Sequence, residues 1–94
     1  MYFEKVLHSA KYHRRPEKRI EMIYILGRLR DERALDTLEE FLAESDPYLV
    51  LESVCSIAEI GGPKAVRLLK SAKDHRYFMV RERASQTLDA LDSN

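Results

Sequence analysis

The side chains most able to ligate a metal ion are few and scattered along the chain. His8, His13 and His75 lie far apart, and none forms a pair with a histidine, cysteine or carboxylate one helical turn away that recurs elsewhere in the sequence. Zinc and iron sites need several such ligands that converge on one point. The sequence therefore predicts no metal ion and no other cofactor.

Cys55 is the single cysteine, and it is the candidate for a nucleophile or a chromophore attachment point. Glu52 and Glu59 lie one turn of helix away on either side. Negative charge beside a thiol raises its pKa and so lowers the amount of reactive thiolate. We therefore interpret Cys55 as a small helix residue and predict that the chain is not an enzyme. A single cysteine forms no internal disulfide, which is typical of a cytoplasmic protein.

Six basic residues surround the first predicted interhelical turn and could bind phosphates or an acidic partner. They equally suit a solvated turn in which cations stabilise a helix C terminus. Tyr12 is the one aromatic residue among them, and no glycine-rich segment is nearby, so the sequence disfavours a nucleic acid partner. The six are Lys11, His13, Arg14, Arg15, Lys18 and Arg19.

The composition is that of one globular domain, 1–94. Hydrophobic residues make up 45% of the chain, and three glycines and three prolines are few for a β protein with many turns. No stretch approaches the roughly 20 apolar residues that cross a bilayer, so no membrane association is predicted. The 16 basic and 16 acidic residues cancel, but residues 1–30 and 63–94 are basic and residues 31–62 are acidic. Neighbouring segments can therefore attract one another.

The elements that carry these residues recur every 31 residues. Shifted by that distance, Leu26, Ile57 and Leu88 coincide, as do Pro16 and Pro47. Repetition at such a period is typical of solenoids, in which equivalent helices of successive units lie side by side. We therefore predict three units, at approximately 1–30, 31–61 and 62–94.

Each unit contains two predicted amphipathic helices, because apolar residues recur at helical spacing twice in it. Asp46 is a suitable N-cap for a helix that begins at Pro47, and Gly61 and Gly62 separate that helix from the next. The predicted helices lie near 2–13, 16–29, 32–44, 47–60, 63–73 and 76–92. The core positions of the second helices are Ile23, Leu26 and Leu29, then Val54, Ile57 and Ile60, then Val80, Ala84, Leu88 and Leu91.

Three segments carry a resemblance to a known family. Residues 26–35 read LGRLRDERAL, residues 46–49 read DPYL and residues 57–61 read IAEIG. They resemble the "ALGxIGDxRAL" and "DPxVR" motifs of the HEAT-like repeats named after phycobilisome lyases, although Val50 stands where that pattern has an arginine. The resemblance covers roughly residues 16–92. It implies an all-α, right-handed α-α superhelix of the HEAT/armadillo type, with the second helix of each unit on the concave side.

On the second helices, side chains opposite the predicted core form a row across the three units, which we call the second-helix face. Aligned apolar residues on a surface mark a contact site, and Tyr, Phe, Met and Arg are enriched there. We therefore predict a non-catalytic scaffold that binds another protein through this face. Its predicted partner-binding residues are Ile20, Tyr24, Arg28, Tyr48, Leu51, Glu52, Cys55, Glu59, Phe78, Met79, Glu82, Arg83 and Gln86.

Two other functions are open at this point. The family resemblance allows a lyase-type or chaperone subunit that acts on a tetrapyrrole-bearing client protein, and the basic turn allows a nucleic acid binder. A solenoid also exposes apolar residues at its ends unless polar residues cap them. Tyr2, Phe3, Val6 and Leu7 on the first helix therefore suggest a homo-oligomer that forms through the exposed repeat ends.

Overall fold

The computed structural model describes residues 2–92, and every regular element in that range is helical. The first helix of each pair packs against the second, so the predicted all-α stack of three helix pairs is confirmed. The predicted units also include residues 1, 93 and 94, which lie outside the described range. The helices are α1 (Tyr2–Tyr12), α2 (Pro16–Leu29), α3 (Leu35–Phe41), α4 (Pro47–Ile60), α5 (Gly62–Ala72) and α6 (Phe78–Asp92), with a 3₁₀ turn at Glu32–Ala34 before α3.

The second helices form one continuous layer. α2 packs along α4, and α4 packs along α6, while α1, α3 and α5 pack onto this layer. The stack measures 34 × 25 × 16 Å. Because α2, α4 and α6 are direct neighbours, equivalent positions on successive second helices lie side by side, as the repeat predicts.

The helix ends follow from local chemistry. The Asp46 carboxylate accepts a hydrogen bond from the Tyr48 N–H at 3.0 Å, which caps α4 at the position predicted. Gly61, with φ of 72°, breaks the chain between α4 and α5, because this left-handed conformation favours glycine. α2 ends at Leu29, and the residue that follows, Arg30, has φ of 54° and donates its N–H to the Gly27 carbonyl at 3.1 Å. Arg30 thus occupies a position that usually takes glycine.

The third helix is shorter than the predicted range 32–44. Its first turn is 3₁₀, held by the Asp31 carboxylate, which accepts bonds from the Arg33 N–H at 2.9 Å and the Arg33 guanidinium at 2.7 Å. After Phe41 the backbone bonds span three residues, as from the Leu42 N–H to the Glu39 carbonyl at 3.1 Å. These tighter turns end the α-helix early.

The core runs through all six helices, and most predicted core positions of the second helices are buried. Leu29 is a correction, because it is 37% exposed at the last turn of α2. Ile60 and Leu91 are only half-buried. The buried apolar residues are Val6, Ala10, Ile23, Leu26, Ala34, Leu35, Leu38, Phe41, Leu49, Val50, Val54, Ile57, Ala65, Leu68, Leu69, Ala72, Val80, Ala84 and Leu88.

Polar side chains join successive units at their turns. The Arg19 guanidinium donates to the Ala10 carbonyl at 2.8 Å and to both carboxylate oxygens of Glu44, at 3.2 and 2.9 Å. Arg19 therefore ties the end of α1 to the chain after α3. One unit further on, the family pattern also expects an arginine, and there Val50 is fully buried in the core.

The second and third units are joined through His75 and Tyr77. His75 Nε2 lies 2.8 Å from the Leu42 carbonyl, and Nδ1 accepts the Tyr77 N–H at 3.1 Å. These partners assign the proton to Nε2. The Tyr77 hydroxyl donates to the Ser45 carbonyl at 2.6 Å. Because these bonds fix residues 75–77 in a turn, α6 begins at Phe78 and not at the predicted residue 76.

The exposed end of the first unit is only partly apolar. Val6 is buried in the core, because α1 packs against α2, so its predicted place on a free end is wrong. The Arg33 guanidinium lies 4.3 Å from the centre of the Phe3 ring, which is half-buried. Tyr2 stays 61% exposed.

Candidate functional site

The structure places every nominated residue of the second-helix face at least partly in contact with solvent. Tyr24, Tyr48, Phe78 and Met79 are 54%, 63%, 67% and 38% exposed. These four are the majority of the seven large hydrophobic side chains exposed within residues 2–92. Exposed apolar surface is therefore concentrated on the layer of α2, α4 and α6.

Ile20 needs a correction, because it was expected to stand clear of the core. It is half-buried and packs against the core cluster. Its position one turn before the buried Ile23 explains this, since residues three apart share a side of the helix. Leu51 is half-buried as well, but it is not among the residues packed against the core.

A groove of about 160 Å³ lies between α2 and α4 on the second-helix face. Its floor is the contact of Gly27 with Ser56. The Ser56 hydroxyl donates to the Ile23 carbonyl at 2.6 Å, and a Cβ on Gly27 would lie 2.7 Å from the Ser56 Oγ. The two helices approach this closely because position 27 has no side chain. The groove is lined by Tyr24, Gly27, Arg28, Glu52, Cys55, Ser56 and Glu59.

One end of the groove is closed by an ion pair. Arg28 Nη1 lies 2.6 Å from Glu59 Oε1, and Arg30 Nη2 lies 3.4 Å from the same oxygen. Both arginines are mostly exposed, so the pair contributes little to stability. The pair does hold the Glu59 carboxylate beside α2, and Arg28 thereby neutralises the Glu59 charge at this end of the groove.

Arg83 reaches the groove from α6. Its Nη1 lies 2.9 Å from the Cys55 Sγ. Burial raises the pKa of the Cys55 thiol, while Arg83 lowers it and Glu52 adds a smaller increase. The predicted direction of this pKa shift is confirmed. Its main cause is desolvation, however, and not the neighbouring glutamates.

Glu52 lies in the groove without a partner. Within residues 2–92 its carboxylate makes no hydrogen bond and no ion pair, although it is half-buried. Burial raises the pKa of this carboxyl, and the nearby positive charge of Arg83 lowers it in part. Glu52 is therefore an acceptor that faces the groove with its charge uncompensated by direct contact.

Sequence reasoning missed Gly27 and Ser56. The available signal was the glycine itself, because an isolated glycine inside a helical pattern usually marks a close approach of another element. That its neighbour would be Ser56, on a different helix, could not be read from the chain.

The six-residue basic cluster does not act as one group. Arg19 is bound to Glu44 and the Ala10 carbonyl, and Lys18 pairs with Glu21 at 3.5 Å. The Lys11 ammonium lies 5.5 Å from the Tyr12 ring centre. His13, Arg14, Arg15 and Lys18 line a shallow depression at the turn.

Neither a cluster of metal ligands nor a membrane-spanning helix occurs within residues 2–92. No group of three or more His, Cys, Asp or Glu side chains in this range is close enough to hold a metal ion. No helix in it is long and apolar enough to cross a membrane.

Comparison with known proteins gives the family. No curated protein sequence matches the chain. A family model for HEAT repeats matches residues 3–89, which covers all three helix pairs. The chain therefore belongs to the HEAT repeat family.

Proposed function

We propose that the chain is a non-catalytic scaffold that holds a partner protein against the second-helix face. The observation that carries this proposal is that four of the seven large hydrophobic side chains exposed within residues 2–92 lie on three adjacent second helices, namely Tyr24, Tyr48, Phe78 and Met79. Large apolar side chains scattered singly on a surface need no explanation, but several of them on adjacent helices of one layer indicate a contact surface.

The types of these residues support a protein partner. Aromatic residues and methionine are enriched at protein interfaces, and a few of them usually supply most of the binding energy. Charged residues among them, such as Arg28, Glu52 and Glu82, would set the register of the partner. Repeat solenoids commonly bind along an extended concave surface, and the continuous packing of α2, α4 and α6 supports that side as the binding face.

The test replaces Tyr48 and Leu51 together by alanine. Neither residue belongs to the core cluster, so we expect the circular dichroism spectrum and the melting temperature to change little. If these residues are anchors, the affinity for a partner captured from the source cell should fall about tenfold or more. Calorimetry with the isolated partner would measure that loss.

Tyr12→Ala is the matched control, because Tyr12 is 64% exposed and lies on α1, away from the face. A partner that binds the wild type and Tyr12→Ala, and not the double variant, supports the proposal. A partner that binds all three equally contradicts the choice of face. Loss of helicity in the double variant would show that Tyr48 and Leu51 are structural.

The lyase-type or chaperone role toward a tetrapyrrole-bearing client stays a prediction of the family resemblance. A change in bilin absorption on titration with the chain would favour that role over a plain scaffold.

A further inference from the structure

We infer that the partner is an amphipathic helix that inserts a lysine or arginine side chain into the groove between α2 and α4, where it pairs with Glu52. This inference rests on the proposed function, since it specifies what the second-helix face binds. It names the chemistry of the occupant, which the clustering of apolar residues alone does not give.

The groove holds one carboxylate that has no direct partner within residues 2–92. Glu59 is already bound by Arg28 at 2.6 Å, and the Arg83 guanidinium is directed to the Cys55 sulfur at 2.9 Å. Glu52 alone among the charged groove residues has no direct partner within residues 2–92. Arg83 contacts the uncharged Cys55 thiol and acts on Glu52 only through space, so a cationic donor from a ligand would supply the direct contact that the Glu52 carboxylate lacks.

The Glu52 carboxyl is half-buried in the free protein. This burial limits solvation of the ionised form and so raises the pKa of the Glu52 carboxyl. A partly buried carboxylate without a hydrogen bond is costly, and a charged donor from a partner would satisfy it. Binding would thus gain more from a cation here than at an exposed glutamate.

The volume of the groove is suited to one inserted side chain. Sites for drug-sized ligands usually enclose about 300–1,000 Å³, whereas a cavity of about 150 Å³ holds a group the size of benzene. The groove is about 160 Å³. It can therefore accept one long side chain, and it is too small for a typical cofactor.

The walls suit a basic side chain in particular. The exposed Tyr24 ring lies on the α2 side, and Cys55 lies on the α4 side. The alkyl stem of a lysine or arginine can lie along such apolar surface while its head reaches a carboxylate. An aromatic ring beside the path adds a cation–π attraction.

The exposed apolar side chains of the second-helix face favour a partner helix that also carries apolar residues. Tyr48 lies on α4, and Phe78 and Met79 lie at the start of α6, all exposed. Packed helices are 8–10 Å apart, so the distance across three of them is about 16–20 Å, which an α-helix of about 11–13 residues spans. Such a helix would place apolar residues at spacings of three and four from the basic one.

The experiment uses a phage-displayed library of 14-residue helical peptides, randomised on one face and built otherwise from alanine and glutamine. Peptides are selected on the full chain and counter-selected on the Tyr48→Ala/Leu51→Ala variant. We expect lysine or arginine to be enriched at one face position, with apolar residues three or four positions away.

A selected peptide is then measured against two matched variants. Glu52→Gln keeps the shape and removes the charge, and should weaken binding about tenfold. Glu40→Gln removes an exposed charge from α3, outside the second-helix face, and should change affinity less than about threefold. Glu52→Lys, paired with a peptide whose basic residue is changed to glutamate, should recover binding.

The outcomes separate this inference from the proposed function. Peptides that bind the face without a basic residue, or that bind Glu52→Gln as tightly as wild type, would overturn the inference and leave the scaffold proposal intact. If no peptide distinguishes the wild type from the Tyr48→Ala/Leu51→Ala variant, both fail.

Discussion

Gly27→Ala should destabilise the protein, although the same change in an open helix stabilises by about 0.5–1 kcal/mol. The added Cβ would lie 2.7 Å from the Ser56 Oγ and 2.9 Å from the Ser56 Cα. Favourable carbon contacts need about 3.5–4.0 Å, so α2 and α4 must move apart by up to about 1 Å. That movement also disturbs the 2.6 Å bond from Ser56 to the Ile23 carbonyl. We expect a loss of about 1–3 kcal/mol, which is typical of one extra methyl group in a packed core.

Urea unfolding followed by circular dichroism measures this loss, and each kcal/mol should lower the melting temperature by about 4–8 °C. The double variant Gly27→Ala/Ser56→Gly removes two of the three close contacts. A double-mutant cycle should therefore show a compensating coupling of about 0.5 kcal/mol or more. If Gly27→Ala is neutral or stabilising, the close approach of α2 and α4 is wrong, and so is the floor of the groove.

Two further changes test the charge and the backbone of the same region. Because burial raises the pKa of Glu52 above its ordinary value of 4.5, its contribution to stability is complete below pH 4.5 and is lost as the pH rises through the higher pKa of the folded state. Glu52→Gln should therefore raise the free energy of unfolding more at pH 7 than at pH 3.5, and an equal change at both would refute the shift. Arg30→Gly should stabilise by about 0.5–1 kcal/mol, because Arg30 has φ of 54° and its 3.4 Å contact with Glu59 is exposed. A lower melting temperature in that variant would contradict the left-handed assignment.

Much of the fold could be predicted from local patterns that recur. Pro47 after Asp46 and the glycines at 61 and 62 gave helix ends within two residues, because capping and left-handed glycine are properties of a few adjacent residues. The third helix was less predictable. Its 3₁₀ start depends on the Asp31–Arg33 bond, and its early end depends on turns whose side chains join a neighbouring unit.

The candidate site also has a part that local patterns predicted and a part that they did not. Helical spacing alone indicated which side of each second helix is free of the core, and it nominated Tyr24, Tyr48 and Phe78, which the structure leaves exposed. Leu29 departed from that pattern at the last turn of α2, whereas Ile20 departed from it because it shares a side of the helix with the buried Ile23.

The sequence by itself determined the number of helices, their pairing and the side of each that faces the core. Apolar residues recur with the 3.6-residue period of a helix, and the helix pairs recur every 31 residues, so both can be read from the order of residues. Only the tertiary structure decided how closely α2 and α4 approach and that Arg83 contacts Cys55. It also decided that Glu52 makes no direct hydrogen bond or ion pair within the described part of the chain. These facts join side chains on different helices. Their distances depend on the volume and rotamer of each neighbour across the interface, which no pattern within one helix contains.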